Sequence, residues 1–321
     1  MRGYSSGENL MSTAEDIARQ AAGPAWASAT AEPAIPVLAS PSWRGVDSTL
    51  LRLRRPTGET CLAKLMDEDT GRYSDTATTF KAAQQAAAAG IGPAVLAADL
   101  AIRTLVMEDL LPEAGWTTGT LDRYSDRATR HAVIAAKKSF HRTAPLGLST
   151  SVFDHVETLL EKCRSAKAPV PEDIAWLASS AREARDAIRA SGVDTVPAHG
   201  DGNVSNVMIS ADGSVRLVDW DLAGDMDPFE DLGSFLLEAH DNEGDAVESF
   251  EIFYGRYDRA LFNRAWLYGI ADDLRWGLIG ALLAGTSRRV TYEFLKFGDW
   301  RFQRARMGLR DPRFSEKLGR V

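Results

Sequence analysis

Between His199 and Gly224 the chain reads HGDGNVSNVMISADGSVRLVDWDLAG, and this stretch holds the residue types that metal-assisted phosphoryl transfer requires. Asp201 follows a His-Gly pair, Asn206 comes five residues later, and Asp219 follows a short apolar run. The pattern predicts a hairpin with strands at 206–209 and 215–218 around the turn Ala211-Asp212-Gly213-Ser214, which would carry Asn206 and Asp219 at its open end. A transferring phosphoryl group needs little covalent help but much positioning and charge neutralisation. A base must accept the acceptor's hydroxyl proton. A hard divalent ion takes carboxylate and amide oxygens and keeps several waters, so one Asp and one Asn suffice as protein ligands. On this reading Asp201 is the base, and Asn206 and Asp219 hold Mg²⁺. Each piece alone is also ordinary turn chemistry, because Asp-Gly and Asn-rich segments favour turns. The functional reading rests on their coincidence in order.

HGDxxxxN followed by VDWDLAG resembles the signature of the aminoglycoside phosphotransferase and choline kinase superfamily, whose members share the two-lobed protein-kinase fold. The resemblance puts Asp201 and Asn206 on the catalytic loop and Asp219 at the metal-binding aspartate that follows it. Asp225, Pro228 and Asp231 stand where the superfamily continues with Gly-Asp-Pro and a further Asp. It implies ATP and Mg²⁺ as cofactors, Asp231 as an acceptor of backbone hydrogen bonds, and His199 as an organiser of the loop rather than a proton carrier. It also implies an α+β fold, with a small antiparallel β lobe plus one helix and a larger, mainly helical C-terminal lobe. The expected divisions are a tail and leading helix at 1–35, a nucleotide-binding lobe at 36–110, and a catalytic and acceptor lobe at 111–321.

Length and composition fit that architecture. The 321 residues are comfortable for two lobes of unequal size. A net charge of −8, with no basic stripe, argues against nucleic acid and suits a cationic small-molecule acceptor. Cys61 and Cys163 are far apart and lack metal-ligand spacing, so neither a disulfide framework nor a zinc site is expected, and a reducing cytoplasm fits. The amino end lacks an apolar leader core, and the longest apolar run, 276–284, is too short to span a bilayer, so no membrane partner is expected.

The elements that must position the loop can be followed along the chain. Residues 1–11 read as a disordered lead, with Met11 as a second candidate start. Ser12 and Glu15 form a capping box for a short helix that Gly23 and Pro24 close. PVLAS, STLLRLRR and TCLAKLM then read as antiparallel strands. The loop between the first two contains Gly45 as its one glycine, where the resemblance places the cover over the nucleotide phosphates; a plain hairpin loop reads equally well. Lys64 lies in the middle of an apolar strand, a rare place for a lysine unless it faces a cleft, and the resemblance assigns it to the phosphates. The Ala-rich helix at about 76–89, ended by Gly90, lacks the acid that kinases pair with this lysine, since no Asp or Glu occurs between Thr76 and Leu96. Glu68 and Asp69 are the nearest candidates in sequence. AVLAADLAIRTLVMEDL reads as a hairpin leading to the interlobe hinge, where Met107, Glu108 and Leu110 would meet the adenine, and where Asp109 reads as a solvated loop acid.

Beyond Pro112 helices are expected at 121–141, 151–164 and 171–190, then from Pro228. His131, His141 and His155 fall on these helices and are assigned no chemistry. The final third is rich in aromatics, and DDLRWGLIGALLAG resembles choline and ethanolamine kinases, which bind a quaternary ammonium in an aromatic box. Trp276 stands at the first box tryptophan, Ile279 replaces the second, and Phe294 and Phe297 stand where further box aromatics are sought. These rings equally suit a helical core. Glu293, or the pair Asp272 and Asp273, could instead bind a primary amine, and Asp221 joins the acceptor-site candidates. The expected activity is a small-molecule kinase for a choline-like or ethanolamine-like amino alcohol. Its rivals are an aminoglycoside or other antibiotic kinase and a nucleotide-binding pseudokinase.

Overall fold

The computed structural model describes residues 6–35, 48–289 and 292–321, with side chains from residue 13 onward. Helix α1 (Ser6–Ala22) precedes strands β1 (Thr30–Pro33), β2 (Ser48–Arg54) and β3 (Thr60–Met66), helix α2 (Thr76–Ala88), and strands β4 (Val95–Asp99) and β5 (Thr104–Glu108). The strands form one antiparallel sheet in the order β1-β2-β3-β5-β4. Side chains alternate between its faces. Leu51, Leu53, Cys61, Ala63 and Val106 bury one face together with Ala18 of α1. Leu50, Arg52, Leu62, Lys64 and Met107 take the other face, which lines the interlobe cavity. The alternation therefore puts the mid-strand lysine in the cleft.

The larger part is mainly helical. It comprises β6 (Thr117–Thr118), α3 (Leu121–Tyr124), α4 (Arg127–Phe140), α5 (Val152–Ala166), α6 (Ile174–Ala190), β7 (Val196–Ala198), β8 (Val207–Ile209), β9 (Val215–Leu217) and β10 (Gly224–Met226). Helices α7 (Pro228–Ala239), α8 (Glu243–Tyr254), α9 (Arg259–Thr286), α10 (Phe294–Leu309) and α11 (Phe314–Leu318) complete it. Its spine is the 28-residue α9, buried on nearly all sides and packed against α5, α7 and α10. Helices α7 and α9 cross with their backbones in contact, since a Cβ on Gly233 would stand 2.0 Å from the carbonyl oxygen of Ala265. An apolar cluster running from Met66, Phe80 and Leu105 to Phe140, Trp220 and Phe235 joins the sheet to the helices.

Several boundaries differ from expectation. The leading helix runs from Ser6 rather than Ser12, so residues 6–11 are helical where disorder was expected and Ser12 lies inside the helix. The first strand is 30–33; the expected strand at 36–40 and the loop with Gly45 lie outside the described residues. The helix expected at 121–141 is divided, because Asp126 caps α4 by accepting the Thr129 N–H at 2.8 Å. Cys61 and Cys163 are free and buried, and burial pushes their thiols up to about 12 and about 11. No helix among the described residues is long and apolar enough to cross a membrane.

Helix α4 presents a cation to the core. Lys137 lies on the same face as Val133, Ile134 and Phe140, and its ammonium donates to Asp231 of α7 at 2.8 Å. His141 joins the other carboxylate oxygen at 2.8 Å. Burial alone would raise the Asp231 carboxyl, but Lys137 and His141 outweigh it and hold the group well below the usual carboxylate range. A carboxyl depressed in the folded state contributes stability above its unfolded pKa of about 4 and loses it as pH falls below that. Asp231→Asn is expected to cost about 3–5 kcal/mol at pH 7, because it leaves a buried ammonium without its counter-charge. In urea titrations the wild type should lose stability more steeply than the variant between about pH 5 and pH 3. Parallel curves would contradict the assignment.

Candidate active site

Strand β7 delivers His199, Gly200 and Asp201 to the centre of the larger lobe. Gly200 has φ +76, and a Cβ there would stand 2.4 Å from the Leu222 carbonyl oxygen, so both its conformation and the space around it require glycine. Its N–H donates to Asp231 at 2.9 Å, which is the backbone bond expected of that residue. Its carbonyl accepts from Arg275 of α9 at 2.6 Å, and the Asp201 carbonyl accepts from Lys137 at 3.1 Å. Buried cations from two helices thus clamp the loop from both sides.

His199 is buried beside Trp220, and its Nε2 stands 2.9 Å from the Val218 carbonyl. A carbonyl only accepts, so Nε2 carries the hydrogen. Burial, with help from Lys137, lowers the imidazole to about 4, and the ring is neutral near pH 7. It links the catalytic loop to the segment before Asp219.

The Asp201 carboxylate is buried, with one oxygen accepting the Asn203 N–H at 2.8 Å and the other the Asn206 side-chain amide at 2.9 Å. Burial is the main reason its carboxyl rises to about 7, and the Asp272 charge adds to it. Asn206 spends its NH₂ group on Asp201, which leaves its Oδ1 for another partner. Asp219 follows β9 in the left-handed region at φ 66, a costly conformation for a residue other than glycine and one that clusters at functional sites.

Lys64 reaches across the cleft. Its ammonium bonds Asp219 and, at 2.7 Å, Asp221. Burial pulls the Asp219 carboxyl upward, but Lys64 outweighs it and the group ends below the ordinary range. Asp221 goes the other way, raised by burial and by the Asp219 charge. Asp221, expected at the acceptor, is therefore a buried partner of the strand lysine and supplies the acid that α2 lacks. Asp69 does not, being bound to Ser287 at 2.5 Å and to Arg72 and Arg289 at 3.2 Å.

A cavity of about 410 Å³ opens between the lobes, lined by Lys64, Met107, Glu108, Leu110, Asn206 and Asp219 among others. Asp109 is no solvated loop acid: its side chain is buried and receives the Arg52 guanidinium in two bonds of 2.6 and 3.1 Å, fastening the hinge to β2.

The acceptor-side residues are placed differently. Trp276 is buried one turn after Asp272 on α9, its ring edge-on to Phe297 at 6.1 Å. Phe294 and Phe297 are buried too, and each ring already carries a guanidinium, Arg289 at 5.3 Å and Arg301 at 5.5 Å. Glu293 is exposed and paired with Lys296 at 3.1 Å. Lys137 and Arg275, which hold the loop, were not anticipated. Their signal was a cation on an otherwise apolar helix face.

Comparisons with known proteins bear on the family and the fold. The model of the phosphotransferase enzyme family matches residues 45–270. Similar solved structures include a choline/ethanolamine kinase family protein from Mesorhizobium loti, with TM-score 0.76 and 23% identity over 96% of this chain and 98% of that one. Choline kinase LicA from Streptococcus pneumoniae gives TM-score 0.73 and 14% identity over 94% and 99%, and LicA has also been solved in complex with AMP. Macrolide 2'-phosphotransferase MphH from Brachybacterium faecium gives TM-score 0.55 and 14% identity over 95% and 99%. A sequence comparison with curated proteins found no match. At such identities the structural likeness carries the kinase-like fold, while the family model covers most of the chain. The protein belongs to the phosphotransferase enzyme family.

Proposed function

We propose that this phosphotransferase moves the γ-phosphoryl group of ATP to a hydroxyl of a small amino alcohol in a Mg²⁺-dependent reaction. The observation that carries the reading is the buried Asp201 carboxylate, hydrogen-bonded to Asn206, which itself lines an interlobe cavity together with Lys64 and Asp219. The lobes divide near residue 110, and the hinge at Met107, Glu108 and Leu110 offers an apolar wall and backbone groups to an adenine. The free Oδ1 of Asn206 and the carboxylate of Asp219 are the hard oxygen donors that Mg²⁺ takes. When bound, that ion neutralises the charge on the transferring phosphates.

The chain's own residues do the rest. Lys64 pairs with phosphate oxygens once they compete for its ammonium, and Asp221 keeps it aimed into the cleft. Asp201 accepts the acceptor's hydroxyl proton, with its second oxygen oriented by Asn203 N–H. Its carboxyl, raised to about 7, has the basicity suited to a proton acceptor near neutral pH. His199, neutral and bonded to a carbonyl, fixes the loop and moves no proton. The free, buried cysteines suit a reducing cytoplasm.

Turnover of ATP with a panel of ethanolamine, choline, aminoglycosides and macrolides tests the proposal. Amino-alcohol-dependent ADP release supports it, release only with an antibiotic moves the acceptor class, and nucleotide binding without turnover on any acceptor contradicts it. Asp201→Asn should lower turnover about 10²- to 10⁴-fold with nucleotide binding nearly intact; an unchanged rate would remove the base assignment. Asp219→Asn should weaken binding of the Mg²⁺–nucleotide pair and steepen the Mg²⁺ requirement. Unchanged affinity and Mg²⁺ dependence would remove the ligand assignment.

A further inference from the structure

Three acids of the final third were open candidates for an amine, and the structure separates them. Asp273 is buried and spent, its two oxygens accepting from Arg301 at 2.9 Å and Arg304 at 3.0 Å. Glu293 is exposed and paired with Lys296. Asp272 differs from both. It is 7% exposed, and Arg275 binds it through Oδ1 alone, at 3.0 Å from Nε and 2.5 Å from an NH₂ nitrogen. The other oxygen, Oδ2, accepts no hydrogen bond from the described residues and is not fully enclosed, so it reaches accessible space. A buried carboxylate oxygen without a donor is costly unless something else supplies one.

Its place is fixed by the same nitrogen. The Arg275 NH₂ group that holds Oδ1 also donates to the carbonyl of Gly200 at 2.6 Å. The Asp272 carboxylate therefore stands beside the peptide that leads into Asp201, and its charge is felt at the Asp201 carboxyl. Of the positions sought for an aromatic box, Ile279 is aliphatic and lies in the apolar cluster two turns further along the same face of α9, and Phe294 and Phe297 already hold guanidinium groups.

We infer that Asp272 is the specificity-determining counter-ion of the acceptor, and that through its free Oδ2 it selects an ammonium carrying N–H donors, as in a primary or secondary amino alcohol, over a trimethylammonium. The inference rests on the proposed reading of Asp201 as the base, since it places the acceptor's ammonium near the hydroxyl that Asp201 deprotonates. A carboxylate oxygen gains a charge-assisted hydrogen bond from an N–H donor, whereas a trimethylammonium offers charge alone. Asp272 thus does for an N–H ammonium what an aromatic box does for a quaternary one.

The test has two arms. With the wild-type protein, Mg²⁺ and ATP, kcat/KM is measured for ethanolamine, its N-methyl and N,N-dimethyl derivatives, choline, and the uncharged ethylene glycol, while binding of ethanolamine and choline is followed calorimetrically. Efficiency should fall along the methylation series, with its largest step where the last N–H is lost. A flat series, or one rising toward choline, overturns the inference. In the second arm Asp272→Asn, which retains an oxygen for Arg275, should reduce the preference for ethanolamine over ethylene glycol by about tenfold or more, and Asp272→Glu should recover part of it. A melting temperature and nucleotide affinity near wild type identify folded variants, and the methylation series stands without them. An equal loss for charged and neutral acceptors marks Asp272 as merely structural and overturns the inference. Ethanolamine binding that depends on Asp272 but is accompanied by no phosphorylation keeps the ammonium site and removes the kinase reading. Turnover on an antibiotic hydroxyl, with no ethanolamine binding, keeps the kinase reading and removes the ammonium site.

Discussion

A lysine ammonium cannot sit in a protein interior without counter-charge, and the arrangement of the cleft follows from that constraint at Lys64. The residue is 5% exposed on the cleft face of β3, and it pairs with Asp219 and Asp221, which both lie on the segment that follows β9. One lobe supplies the cation and the other the carboxylates. Lys64 outweighs burial and depresses Asp219, while burial and the Asp219 charge together raise Asp221. The pairing ties β3 to the segment after β9 across the cleft. It also releases α2 from supplying an acid, and the helix packs through Phe80, Ala83 and Ala86 instead.

The catalytic loop is held by the same physics with the signs reversed. Its backbone carbonyls accept from Lys137 and Arg275, and its Gly200 N–H donates to Asp231. Each of these charges is buried, and each has an ionic partner that is also buried: Lys137 has Asp231, and Arg275 has Asp272. The backbone contact between α7 and α9 at Gly233 brings the acids of one helix and the charges of the other against the loop. A loop fixed this way keeps Asp201 in place while its carboxyl sits in a medium dry enough to hold it near neutrality.

The loop was legible in the sequence because its candidate residues lie close together in the chain. His199, Asp201, Asn206 and Asp219 fall within one hairpin and its approach, so local pattern was enough to gather them. Strands β2 to β5 were legible from short β-forming runs between turn residues, while β1 at Thr30–Pro33 was not, and Lys64 was legible from the rarity of a mid-strand lysine. What could not be read was pairing between distant segments. Nothing near Lys64 in sequence points to Asp221, 157 positions away, and the nearer acid Asp69 is drawn to Arg72, Ser287 and Arg289. Arg52 and Asp109 are likewise joined only by the fold. In α9 the apolar context that hides Asp272 and Arg275 in a core helix is also what makes their charges consequential.

The account depends most on Asp221 replacing the helix acid as the partner of Lys64. The most direct measurement is the affinity and turnover of the Mg²⁺–ATP pair in Asp221→Asn and in the double variant with Lys64→Met. If Asp221 acts by positioning Lys64, the single variant should lose nucleotide efficiency by about tenfold or more, and the loss should largely vanish when Lys64 is already absent. Full additivity of the two losses, or no loss from Asp221→Asn alone, would contradict the account.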